Sequence, residues 1–129
     1  MITSKDLDNI KLFHSTTLQE FLLFDKTQVP PNNKIGWIYY NFDWDDNPKY
    51  IELNLIKISE EYKQKGFGKF LITNFIEYFK NTNQYERIYL LAEPFGNKSR
   101  LRLQVDDLLK WYELFGFKKD ESNFYYLDL

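Results

Sequence analysis

Apolar positions along the chain follow a period of two, then switch to a helical period, and the switch marks the most informative part of the sequence. Residues 18 to 25, LQEFLLFD, and 35 to 42, IGWIYYNF, are aromatic and β-branched runs separated by the turn-rich TQVPPNNK, which predicts two antiparallel strands. A second turn, DWDDNP at 43 to 48, precedes YIELNLIKIS at 50 to 59. There the alternation places Ile51, Leu53 and Leu55 on one face and Glu52, Asn54 and Ile56 on the other. From Gly68 the spacing is helical. Leu71, Phe75 and Tyr78 recur, Ile72, Ile76 and Phe79 widen the apolar face, and Lys69, Thr73, Glu77 and Lys80 form a polar stripe. A helix of about three turns is expected, ending in the polar NTNQ at 81 to 84.

RIYLLA, 87 to 92, reads as a buried strand, and its connection to the preceding strand through a helix implies parallel pairing. VDDLLKWYELF, 105 to 115, predicts a second helix with Val105, Leu108, Trp111, Tyr112 and Phe115 on its apolar side and Gly116 as the residue that ends it. FKK and NFYYLDL supply two short strands around the turn DES, whereas EPFGNKSRLRLQ, 93 to 104, is either a loop or a helical turn capped by Ser99. The order is α+β, a mostly antiparallel sheet with one parallel pair. No repeat, low-complexity tract or linker divides the 129 residues, so one domain over 1–129 is expected.

Composition sharpens this picture at three points. Rings make up 19% of the chain, from 12 Phe, 10 Tyr and 3 Trp, so the core must be built largely from aromatics. A net charge of −2 argues against a nucleic-acid partner, because phosphate backbones demand a basic face. The absence of cysteine excludes disulfides, cysteine zinc sites and thiol nucleophiles, and fits a reducing interior. MITSKDLDNIKLFH lacks the apolar core of a signal peptide, and no apolar run approaches a membrane span. A cytoplasmic protein without a membrane partner is the expectation. No metal site is expected: His14 is the lone histidine, and Asp43, Asp45, Asp46 and Asn47 lack the later glutamate of a calcium loop. Those carboxylates read as a solvated turn, or as an attraction for an amine cation if they border an acceptor opening.

The switch of period falls on EYKQKGFGKF, 61 to 70. The first turn of a helix leaves N–H groups unpaired and carries partial positive charge, which makes it a seat for an anion. Glycines let backbone approach a phosphate, and Lys63, Lys65 and Lys69 add charge around the opening. Leu71 occupies the third glycine position of the dinucleotide fingerprint, and no GK[ST] follows, so both common nucleotide loops are excluded. The bland alternative is a surface turn with solvated lysines.

Strand, EYKQKGFGKFL, helix, strand and finally WYELFGF closely resemble the GNAT family of N-acetyltransferases over residues 34 to 129. The family signature is Arg or Gln, two residues, Gly, any residue, then Gly or Ala. Here Lys63-Gln64-Lys65-Gly66-Phe67-Gly68 fills it, with Lys63 departing at the first position but keeping the charge. The resemblance implies a GNAT-like fold in which acetyl-CoA lies between the splayed strands at 50 to 58 and 87 to 92. Backbone groups around Ile56 and Ile58 would pair with the pantetheine arm, and Lys63, Gln64, Lys65, Gly66, Phe67, Gly68 and Lys69 would wrap the pyrophosphate.

The implied activity is direct acetyl transfer to a primary amine of a small molecule or a protein. An alkylamine is mostly protonated near neutrality and must lose a proton before attack. Glu52 has the offset of the base glutamate in some family members; a surface carboxylate, or a base acting through water, is its alternative. Tyr112 matches the family's general-acid tyrosine, against the alternative of a core tyrosine at helical spacing. Val105 stands where the family has an asparagine seven residues earlier, and Asn97 is the candidate replacement. His14 lies outside the resemblance and is assigned to surface or packing. Family members carry two helices between their first two strands, for which residues 1 to 17 leave little room, so the acceptor cleft is either open or completed by a second copy in a homodimer. A catalytically inactive CoA-binding or protein-interaction module with the same fold is the alternative to the enzyme.

Overall fold

The computed structural model describes residues 2–42, 49–90, 109–121 and 124–129. They form a short helix α1 (Ser4–Asp8), strands β1 (Ile10–Ser15), β2 (Glu20–Asp25), β3 (Lys34–Phe42) and β4 (Tyr50–Ile58), and a 3-10 turn (Glu60–Tyr62). The long helix α2 (Phe67–Thr82) and strands β5 (Arg87–Leu90), β6 (Lys118–Lys119) and β7 (Tyr125–Asp128) follow. Residues 109–113 are helical as well. The strands lie in the order β1-β2-β3-β4-β5-β7-β6, with β4 and β5 parallel and the other neighbours antiparallel. The α+β architecture with one parallel crossover is the one expected. Among the described residues no helix is long and apolar enough to cross a membrane.

The core is less aromatic than the composition suggests: among the described residues the buried cluster holds seven rings beside nine Leu and Ile side chains. From α2, Phe67, Leu71, Ile72, Phe75 and Phe79 bury against Phe21, Leu23, Ile38, Tyr40, Ile51, Leu53 and Ile88 of the sheet. The helix starts one residue earlier than its apolar period suggests and runs for 16 residues, ending at a left-handed Asn83 (φ 55°). Tyr78, at the rim of the apolar stripe, is 41% exposed.

Two corrections concern the strands. The N-terminal segment, which carried no assigned element, holds α1 and β1. Thr3 and Asp6 cap α1 reciprocally, the Asp6 amide donating to Thr3 Oγ1 (3.1 Å) and the Thr3 amide to Asp6 Oδ2 (2.9 Å). Residues 16–19 alone connect β1 to β2, so no helix stands between these two strands. The second correction is in β4, where the register with β3 passes from Tyr39↔Leu55 to Tyr40↔Leu53 and leaves Asn54 as an extra residue. A bulge of one residue reverses the alternation beyond it. Leu55 is therefore 43% exposed, and Ile56 and Ile58 pack on the core beside Ile51 and Leu53.

Candidate active site

The segment between the 3-10 turn and α2 is shaped by two left-handed residues, Gln64 (φ 62°) and Gly66 (φ 93°). Gly66 is the N-cap of α2 and offers no side chain to the helix start, and no side-chain cap bond is made there. Phe70 takes up the first helical bond, its amide donating to the Gly66 carbonyl at 3.0 Å. The amides of Phe67, Gly68 and Lys69 are those a helix start leaves without intrahelical partners. Left-handed residues in such a loop turn neighbouring N–H groups toward a common concavity that suits an anion.

The three lysines differ in their surroundings. Lys63 pairs with Glu60 at 2.8 Å, an exposed contact of small energetic weight that holds the Glu60 carboxyl below its usual range. Lys65 sits with its ammonium 5.7 Å from the centre of the Tyr62 ring. Lys69 lies on the exposed side of the first turn of α2. The two glycines also differ. A Cβ on Gly68 would meet Trp111 at 3.5 Å and Ile58 at 3.8 Å, both ordinary contacts, whereas Gly66 is constrained by its backbone angle. Gly68 is thus where the glycine loop, the end of β4 and the helical residues 109–113 meet, which joins the two motifs that lie some forty residues apart in sequence.

Tyr112, on the same helical turn, is 3% exposed and packs on Trp111 and Phe117. Burial pushes its phenol well above the ordinary value, so the hydroxyl keeps its proton throughout the neutral range. Gly116, left-handed at φ 98°, follows the turn as expected. Asn97 and Val105 lie outside the described residues.

Glu52 occupies the other half of β4, where Asn41 of β3 and Tyr89 of β5 flank it in register. It lines a pocket of about 440 Å³ with Tyr50, Tyr89, Leu90, Asp120 and Phe124. Two carboxylates and three rings make this pocket suited to an alkylammonium group. Sequence reasoning missed Tyr89, Asp120 and Phe124. The signal for Tyr89 was available, since it alternates with the buried Ile88 and Leu90, but the contribution of the β6–β7 turn needed the fold. Between the pocket and the glycine loop, β4 carries the bulged Asn54, whose side-chain oxygen is buried without a hydrogen-bond partner among the described residues. Such an orphaned acceptor beside the strand is a fit for a ligand carrying amide N–H groups. His14 has a packing role: its Nε2 is hydrogen-bonded to the Tyr40 hydroxyl and its ring stacks on Phe21 at 4.0 Å.

A family model described as the acetyltransferase (GNAT) family matches residues 5–117. The match takes in most of α1, all of β1 and His14, which the sequence resemblance left outside. No curated protein matches the chain. Among solved structures, the NatC complex bound to Gag peptide and CoA superposes with a TM-score of 0.57 at 18% identity, over 86% of this chain and 71% of the other. YhbS of Escherichia coli in complex with CoA gives 0.57 at 15% identity, over 84% of this chain and 57% of that one. An acetyltransferase of Thermus thermophilus gives 0.57 at 17% identity, over 85% and 63%. These likenesses establish the shared fold, and the matched part of this chain spans between 57% and 71% of the three proteins.

Proposed function

The chain belongs to the acetyltransferase (GNAT) family, and on that premise we propose that it moves an acetyl group from acetyl-CoA directly to a primary amine of a small molecule or a protein. The observation that carries the reading is the uncapped, left-handed loop at Gly66 that opens α2. The diphosphate of the carrier would sit against the amides of Phe67, Gly68 and Lys69, with Lys63, Gln64 and Lys65 around it. From Ile58 back to Glu52 a strand rises roughly 20 Å, the scale of an extended pantetheine arm. Backbone groups around Ile56 and Ile58 and the oxygen of Asn54 would hold that arm, bringing the thioester toward Glu52.

Glu52 then takes a proton from the incoming ammonium, directly or through a water. The neutral nitrogen attacks the thioester carbonyl, the C–S bond breaks, and Tyr112 protonates the leaving thiolate. The nitrogen releases its second proton as the amide forms, which restores Tyr112 and leaves one proton on Glu52 for solvent. Rings and carboxylates in the Glu52 pocket favour an acceptor that presents its cation on an apolar arm.

A second reading, a domain that binds the carrier without transferring its acetyl group, is favoured by the burial of Tyr112. Thioester turnover with a panel of amines decides between them. The enzyme reading expects Glu52→Gln and Tyr112→Phe each to lower kcat by about 100-fold while CoA binding persists. CoA binding with no turnover on any amine establishes the second reading, and unchanged rates in both variants refute the residue roles.

A further inference from the structure

The side chain of Asp25, at the end of β2, is held in an environment only 8% exposed, far in sequence from the glycine loop but in direct contact with its entry. Its Oδ1 accepts from the Thr27 amide at 2.9 Å and the Thr27 hydroxyl at 2.6 Å, and its Oδ2 accepts from the Tyr62 hydroxyl at 2.7 Å. A carboxylate is rarely buried unless such donors compensate for lost solvation. Burial alone would raise its carboxyl, and these three donors outweigh burial and hold it below the usual range. The Tyr62 phenol is pushed up to about 12, chiefly by its bond to Asp25.

Tyr62 ends the 3-10 turn and immediately precedes the loop. Its ring meets Phe67, the first residue of α2, edge-on at 5.6 Å, and the Lys65 ammonium stands 5.7 Å from the ring centre. One side chain therefore meets the middle and the far end of the segment 63–67, whose two left-handed residues no hydrogen bond to a side chain fixes among the described residues. Phe67 in turn is 5% exposed and belongs to the core, so Tyr62 is braced between a buried carboxylate and the helix start.

We infer that the Asp25–Tyr62 hydrogen bond is a latch that positions the glycine loop, setting Lys65 and the amides of the α2 start for a diphosphate, so that Asp25 and Tyr62 are positioning residues for the carrier. The inference rests on the reading of this loop as the carrier's diphosphate seat. Asp25 and Tyr62 would act only through the loop they brace, so the latch governs affinity for the carrier and leaves the chemical step alone. A bond to a buried charged group is among the stronger ones, and its loss at Tyr62→Phe is expected to weaken binding of CoA about tenfold.

The test is calorimetric binding of CoA, together with steady-state kinetics using acetyl-CoA and S-acetylpantetheine, which lacks the diphosphate. Tyr62→Phe should raise KM for acetyl-CoA with kcat unchanged and leave kcat/KM for S-acetylpantetheine at the wild-type value. Asp25→Asn, which still accepts from Thr27 and can donate its amide to the Tyr62 oxygen, should show a smaller loss, about threefold, and carries the test if Tyr62→Phe does not fold. Equal losses with both acyl donors, or a lowered melting temperature with CoA affinity intact, would reduce the pair to a structural contact and overturn the inference. Failure of the wild-type protein to bind CoA would instead remove the reading on which the latch depends.

Discussion

Gly66 and Gly68 stand one residue apart and meet different demands. At Gly66 the backbone is left-handed, a conformation that costs any residue bearing a Cβ about 1–2 kcal/mol. At Gly68 the space beside the Cα is open to a methyl group between Trp111 and Ile58. Gly66→Ala is therefore expected to lower stability by about 1–2 kcal/mol and to weaken CoA binding as the loop shifts. Gly68→Ala should leave stability unchanged or slightly raised, since alanine is the better helix residue by about 1 kcal/mol, with CoA binding retained. Urea unfolding and calorimetry on the two variants check this. Equal penalties at the two positions would contradict the distinction. The family signature, which admits alanine at the second position and only glycine at the first, follows from the same geometry.

Among the elements, β1 is held by its pairing with β2 and by the contacts of one polar side chain. His14 joins it to β3 through the Tyr40 hydroxyl and to α2 through the Tyr78 and Phe79 rings, at 4.4 and 5.9 Å. Burial holds the imidazole below its ordinary value of 6.5, so the unfolded chain binds a proton before the folded one does as the pH falls. The stability His14 contributes is complete above about pH 6.5 and drains away as the pH drops through its lower folded-state value. Thermal melts between about pH 7.5 and 5 should therefore fall more steeply for the wild type than for His14→Gln, which keeps a hydrogen-bonding group that does not titrate. Parallel slopes for the two proteins would refute this role.

The elements also show what could be read from the chain. β2, β3, β4 and α2 were legible because long apolar runs keep one period between clear turns. β1 escaped because its alternation of Ile10, Leu12 and His14 is interrupted by Phe13, itself 46% exposed, and only pairing with β2 shows which side is inward. The bulge at Asn54 escaped for a related reason. Apolar residues stand at Leu53, Leu55, Ile56 and Ile58, so either phase of alternation reads equally well after the insertion, and the partner strand makes the choice.

At the scale of the whole molecule, the sheet brings together what the chain separates. The two motifs were visible as local patterns, but their meeting at Gly68, Ile58 and Trp111 is a property of the fold. The same holds for the pocket around Glu52, which draws on β4, β5 and the β6–β7 turn. Residues 16–19 join β1 to β2 without the two helices that the family resemblance places between these strands. β4 runs between the glycine loop and the Glu52 pocket, and in the proposed reaction that strand leads the carrier from one to the other. A crystal structure of the protein with acetyl-CoA tests this most directly. It should show diphosphate oxygens within about 3.2 Å of the amides of Phe67, Gly68 and Lys69, the pantetheine arm along Ile58 to Asn54, and the thioester facing Glu52. A carrier bound elsewhere, or one whose diphosphate leaves those amides untouched, would contradict it.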